Sequence, residues 1–446
     1  MNGIFLGIVL VAFVAAAWRQ VGFVATEGAA SPMEALSAGM ITSAGGAVEL
    51  AIGLVGVMTL FLGLMKVAEA GGLLTVIARL IRPLMTRLFR EVPADHPAMG
   101  AMVLNLSANA LGLGNAATPF GIRAMQELDR LNPRPGTATN SMALFLAINT
   151  SSVTLLPTGV IALRAAAGSV DPAGILPTTL FASICGTIAA VIAALWFARY
   201  FPAGVQGEAA TGAATTGAAE PHAAGPGADR PWVRDDAQRE SLPPDPGGYP
   251  LWVSLLALAA MVALIPVTIA WGKAISPWIV PGLMVGFLAF GALRGVRIYE
   301  VFVEGAKEGF QVAVRIIPYL VAILVAVGMF RASGALDAMT STLGAFTSKV
   351  GLPPEALPMA ILRSLSGSGA YGVMASIIND PAIGPDSYTG YLVSTLQGSS
   401  ETTFYVLAVY FGAVQVRRVR HTLVAALIAD LVAVIAAVAI CRYLFA

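Results

Sequence analysis

Charge is what this sequence has least of. Only 11% of its 446 residues are Asp, Glu, Lys or Arg, against about 25% in a soluble domain. Lys plus Arg is 26 and Asp plus Glu is 25, so no cationic surplus attracts a nucleic acid. Cysteine is nearly absent: Cys185 and Cys441 both sit in apolar runs and provide neither a disulfide framework nor a metal-ligand spacing. The three histidines, His96, His222 and His421, fall in or beside loops. They are too few for a His-rich metal site and leave no base obviously placed to activate a serine. No Gly-x-x-x-x-Gly-Lys-Ser/Thr loop is present for ATP. These shortages point away from an enzyme, and no metal or other cofactor is expected.

What the sequence has is apolar length. Hydrophobic residues make up 57% of it and the mean hydropathy is +0.78, more than a soluble fold of this size can hide. A helix crosses the hydrocarbon core with about 20 apolar residues. Met1 to Trp18 has no charge and lacks the basic start of a signal peptide, which reads as a retained span. Leu50 to Met65, Ile175 to Ala198, Leu251 to Gly272, Ala274 to Leu293 and Ile316 to Phe330 are uncharged too, and His421 to Cys441 is broken only by Asp430. Nothing alternates with period two for a barrel. The expected fold is an all-α polytopic membrane protein in the inner (cytoplasmic) membrane, with the lipid bilayer as its first partner. The arginine clusters at Arg79 to Arg90, Arg123 to Arg134, Arg294 to Arg297 and Arg417 to Arg420 are expected on the cytoplasmic side.

Three regions follow from composition. Residues 1–202 and 251–446 are membrane halves, and 203–250 is an Ala-, Gly- and Pro-rich flexible linker that holds almost no large apolar residue. The halves repeat each other. Val67-Ala68-Glu69-Ala70-Gly71-Gly72-Leu73 answers Phe330-Arg331-Ala332-Ser333-Gly334-Ala335-Leu336, and Val92-Pro93-Ala94-Asp95 answers Leu352-Pro353-Pro354-Glu355. Asn105-Leu106-Ser107-Ala108-Asn109 lies opposite Leu365-Ser366-Gly367-Ser368-Gly369, and Asn149-Thr150-Ser151-Ser152-Val153-Thr154 opposite Gln397-Gly398-Ser399-Ser400-Glu401-Thr402. Transporters often carry such repeats, with the site at the repeat interface.

Each half also holds two segments apolar enough for the bilayer yet too polar for ordinary spans. In Pro97 to Ile122, the run Gly112-Leu113-Gly114-Asn115 and Pro119 oppose a continuous helix. In hydrocarbon, freed backbone is tolerated only inside protein or beside a water-filled cavity. Broken or re-entrant helices are therefore expected, with small polar residues facing inward. The candidates for a solute or ion pathway are Asn105, Ser107, Asn109, Asn115, Asn149, Ser151, Ser152 and Thr154 in the first half. In the second they are Ser366, Ser368, Gln397, Ser399, Ser400, Glu401 and Thr402. A single Ser more often packs between membrane helices. Asn149 and Gln397 carry more weight because a buried amide needs partners. Arg363 and Glu401 are charges deep in broken segments, and the cheapest arrangement is an ion pair, structural or functional.

At these strings the halves become familiar. Val48-Glu49-Leu50, Gly63-Leu64-Met65-Lys66-Val67-Ala68-Glu69, Leu111-Gly112-Leu113-Gly114-Asn115-Ala116-Ala117-Thr118-Pro119-Phe120-Gly121 and the Asn149 motif resemble spore maturation protein A. Phe302-Val303-Glu304-Gly305-Ala306-Lys307-Glu308-Gly309-Phe310, Arg315-Ile316-Ile317-Pro318-Tyr319-Leu320 and Gly398-Ser399-Ser400-Glu401-Thr402-Thr403-Phe404-Tyr405 resemble spore maturation protein B. The resemblance implies a fusion of the two, each half with a nucleoside-recognition, or Gate, domain (about 45–165 and 310–415). It implies a gated pathway for a small solute or ion, or a membrane maturation factor acting through a membrane partner or a homo-oligomer. One departure is Arg363-Ser364 where the family pattern has Arg-Pro, which moves the expected helix break toward Gly367 and Gly369.

Overall fold

A computed structural model describes residues 2–24, 30–112, 114–201 and 247–445, and every regular element among them is a helix. Extended backbone pairs there only at one isolated bridge, Thr137 to Arg418. Nearly all of the 203–250 linker lies outside the described residues.

The first half runs α1 (Asn2–Val21), α2 (Pro32–Ala70), α3 (Leu73–Leu88), α4 (Pro97–Ala110), α5 (Gly114–Arg130), α6 (Asn140–Thr150), α7 (Thr158–Ala166) and α8 (Leu176–Ala198). The second runs α9 (Leu251–Leu293), α10 (Ile298–Ala332), α11 (Ala335–Thr347), α12 (Leu357–Leu365), α13 (Gly367–Ile378), α14 (Tyr388–Ser399), α15 (Thr403–Ala413) and α16 (Thr422–Phe445). Helices α2, α8 and α16 are each long and apolar enough to cross a membrane, and the protein is an all-α membrane protein.

Two boundaries differ from expectation. Helix α2 begins well before Leu50, because Ser31-Pro32-Met33-Glu34 forms a capping box: Glu34 N–H donates to Ser31 Oγ at 3.3 Å and Ser31 N–H to the Glu34 carboxylate at 2.7 Å. The helix then continues through Glu49. The spans expected on either side of Lys273 form one helix, α9.

Helices of the two halves pair with each other. Along α2 and α10, glycines bring the backbones together. A Cβ at Gly309 would lie 2.8 Å from the Met58 carbonyl oxygen and the Thr59 Cα, and one at Gly305 2.7 Å from the Leu62 carbonyl oxygen. Along α8 and α16, Ala182, Gly186 and Ala190 face a file of Ala425, Ala429, Ala433 and Ala437. A Cβ at Gly186 would lie 3.2 Å from that of Ala433. Small residues at four-residue spacing allow this close packing where no water drives helices together.

The apolar cores draw on both halves. Val160, Ile161, Ala162 and Leu163 of α7 share a core with Ala47, Leu54 and Met58 of α2 and with residues of α12, α13 and α14 of the second half. Val406, Leu407, Tyr410 and Phe411 of α15 pack into the core of α3 to α6 in the first. Side chains lock each contact. Arg164, fully buried on α7, donates to the Pro385 carbonyl at 2.6 Å and to Asp386 at 2.9 Å, and lies over the Tyr391 ring. Tyr410 on α15 accepts from Asn105 Nδ2 at 3.2 Å and stacks on Phe145.

Candidate functional site

The two polar motifs stand where the chain crosses from one half into the other. Helix α6 is capped by Thr139, whose hydroxyl accepts from Met142 N–H, and it ends at Thr150. Residues 151–157 form no helix, and α7 starts after Pro157. Helix α14 is capped by Ser387 and ends at Ser399; Ser400 is extended, and α15 starts at Thr403. The crossing strands touch where Glu401 N–H donates to the Thr150 carbonyl at 2.8 Å. Leu155 N–H donates to the Ala110 carbonyl at the end of α4. The turn after α4 needs glycine at 112, where φ is +76° and a Cβ would sit 2.5 Å from the Leu156 carbonyl oxygen.

Several predicted site residues meet here. Asn109 Nδ2 donates to Asn149 Oδ1 at 2.9 Å, and Asn149 Nδ2 donates to the Phe145 carbonyl. Ser152 is buried, and its hydroxyl has no protein partner among the described residues. Gln397 Oε1 is equally unpartnered, and its neighbour Gly398 lies against Thr179 and Pro157, with an ideal Cβ 2.9 Å from Thr179 Cγ2. Thr179 Oγ1, from α8, is a third unpartnered buried oxygen. Ser152, Gln397 and Thr179 thus each keep a buried oxygen without a partner among the described residues, which is uncommon for buried polar atoms.

Other candidates serve the fold itself. Ser107 Oγ donates to the Val103 carbonyl at 2.7 Å, Ser151 Oγ to that of Ala147 at 2.9 Å, and Ser399 Oγ to that of Leu396 at 3.4 Å. Asn105 Nδ2 donates to the Ala117 carbonyl at 2.7 Å and to Tyr410, while its Oδ1 is unpartnered. Ser366 caps α13 by accepting from Gly369 N–H. Ser400 is buried, Thr154 half-buried and Ser368 exposed. The side chain of Asn115 lies outside the described residues.

The Arg363–Glu401 ion pair is not formed among the described residues. Residues 400–402 are extended, so successive side chains alternate in direction: Ser400 and Thr402 turn inward and Glu401 is exposed. Arg363 is buried and donates through Nη1 to Thr402 Oγ1 at 3.1 Å, with Nε unpartnered. Glu401 and Asp430 are the acidic groups that act on it through space. Asp430 Oδ2 accepts from Ser364 at 2.6 Å and Thr403 at 2.7 Å, while Oδ1 has no partner among the described residues. The serine that stands in place of the family's proline therefore supplies a hydroxyl to this carboxylate. The helix still breaks, at Ser366, because the Ser366 cap and Gly367 restart it.

Sequence reasoning did not place Thr179 or Asp430 in the site. Asp430 was marked by being the sole charge in its span. Thr179 had no signal, since Thr178-Thr179 reads as ordinary small polar packing.

A family model described as "Nucleoside recognition" (Gate) matches residues 51–167 and 313–417. The chain is 45% identical over 166 residues to spore maturation protein B of Bacillus subtilis (strain 168), an alignment covering 37% of this chain and 92% of that protein. It is 46% identical over 155 residues to spore maturation protein A of the same organism, covering 35% of this chain and 77% of that protein. The two alignments fall on different halves of the chain. No solved structure matches it.

Proposed function

The chain belongs to the spore maturation protein A and B families, joined in one polypeptide, and from that premise we propose that it is a multi-pass inner-membrane protein of transporter type that admits a small solute or ion at the crossing of its two polar motifs. The carrying observation is the set of buried, unpartnered oxygens of Ser152, Thr179 and Gln397 beside non-helical backbone. Irregular backbone at membrane depth is tolerated inside protein or beside a water-filled cavity, and the second of these supports a pathway here. The family model that fits both halves is described by nucleoside recognition, so nucleosides head the substrates to test, followed by metal ions and small osmolytes. Nothing in the reading calls for catalysis or a cofactor. A partner protein or a second copy would be docked through surfaces other than this site.

The second reading is a membrane maturation or assembly factor that transports nothing and works through a partner. It is favoured by the self-satisfied hydroxyls of Ser107, Ser151 and Ser399, which act as packing elements. Flux into proteoliposomes separates the readings. Gln397→Leu removes an oxygen that the fold does not use, so melting in detergent should be unchanged while flux is lost. Unchanged flux in stably folded Gln397→Leu would remove the crossing from any transport path.

A further inference from the structure

Helix α2 carries a single charge between Glu34 and Lys66, and that charge is Glu49. At 1.5 Å per residue it lies about 22 Å along the axis from Glu34 and about 25 Å from Lys66, out of reach of either. Glu49 is exposed and has no hydrogen-bond or ion-pair partner among the described residues. It faces a cavity of about 730 Å³ between α2, α10 and α13, away from the crossing of the polar motifs. The hydroxyls of Thr42, Ser43 and Ser376 line the same space, and Leu50 and Leu324 give it an apolar wall. Arg331 reaches its rim but is held by Asp380 at 2.9 Å. The cavity therefore carries one uncompensated carboxylate.

We infer that this cavity is a binding site for a small amine-bearing solute, whose ammonium group is met by Glu49. A carboxylate facing a cavity with no basic partner is completed by a cation or a proton. A proton needs no cavity, whereas 730 Å³ lies within the size range of small-molecule sites, about 300–1,000 Å³. The hydroxyls accept the remaining N–H groups of the ammonium, and the leucines cover an apolar body.

The test uses the full chain in phosphatidylglycerol nanodiscs, which carry no amine headgroup, with 1-adamantylamine as probe and 1-adamantanol as its neutral isostere. The amine should bind and raise the melting temperature, and the alcohol should bind about tenfold more weakly or worse. Glu49→Gln should bring the amine down to the alcohol's affinity. Gly46 lines the cavity, and a Cβ there meets nothing within 4 Å. Gly46→Leu should therefore fill the space without disturbing the fold and abolish binding of both probes. Equal affinity of amine and alcohol for the unaltered chain, or an unchanged amine affinity in Glu49→Gln, would overturn the assignment. In phosphatidylethanolamine discs, a weakened amine affinity would identify the lipid headgroup as the natural source of the ammonium, and an unchanged one a soluble amine. Nothing here depends on flux, so the outcome is independent of the transport reading.

Discussion

His421 sits in the turn before α16, fully buried, stacked against Phe201 and with neither ring nitrogen bonded among the described residues. Burial, reinforced by the adjacent Arg420, pushes its pKa down to about 4 from 6.5. The unfolded chain thus takes up a proton near pH 6.5 that the folded chain refuses until about pH 4. Stability is full above pH 6.5 and falls as the pH drops toward 4. His421→Gln should flatten that part of the melting-temperature profile in detergent; an unaltered profile would show that another group sets it. A second residue-scale prediction separates Thr402 from Glu401. Thr402→Val leaves the buried Arg363 Nη1 without its acceptor and should lower stability by about 1–3 kcal/mol. Glu401→Gln alters an exposed group and should change stability by less than about 0.5 kcal/mol. Thermal unfolding of the two variants side by side checks the order, which is the reverse of what an Arg363–Glu401 ion pair would give.

At the scale of elements, the glycines of α10 are decisive because what they touch is backbone. A side chain at Gly309 would meet the Met58 carbonyl and the Thr59 Cα, neither of which can swing aside. Gly309→Leu should separate α2 from α10 and lower stability by about 1–3 kcal/mol or more. Gly45→Leu, on the same helix pair but facing open space, should be near neutral; similar losses in both, read as the fraction surviving heating and size-exclusion chromatography, would show that helix propensity rather than close approach decides. Much of this level was legible beforehand. Gly112 marks a real interruption, the break expected toward Gly367 and Gly369 falls just before them at Ser366, and α8 runs from Leu176 to Ala198 almost where its apolar stretch does. The miss at α2 has a local cause. Glu49 looked like a boundary, while the true start was written in the Ser31–Glu34 capping box. The pairing guessed for Arg363 failed for another local reason: an extended triplet, unlike a helical turn, sends neighbouring side chains to opposite sides.

For the whole molecule, the sharing of cores between the halves, with α15 against α5 and α6 and α7 between α2 and α14, was beyond the sequence. Val160-Ile161-Ala162-Leu163 and Val406-Leu407 look alike whichever half they pack against, since apolar periodicity records that a face is buried and not by what. The order of polar motifs was readable; their placement at the ends of α6 and α14 and their contact through Thr150 and Glu401 were not. The sharing of cores makes its own prediction. Residues 1–202 and 251–446, expressed as two polypeptides, should copurify as a one-to-one complex, and each alone should aggregate on size-exclusion chromatography. A monodisperse, stably folded single half would contradict the shared cores.

That sharing also bears on gene dosage. A half made in excess would expose the apolar faces that its complement covers, an orphan subunit for quality-control proteases to clear. In Bacillus subtilis the two relatives are separate proteins. Here translation delivers both halves in equal number, so no ribosome can produce one without its complement.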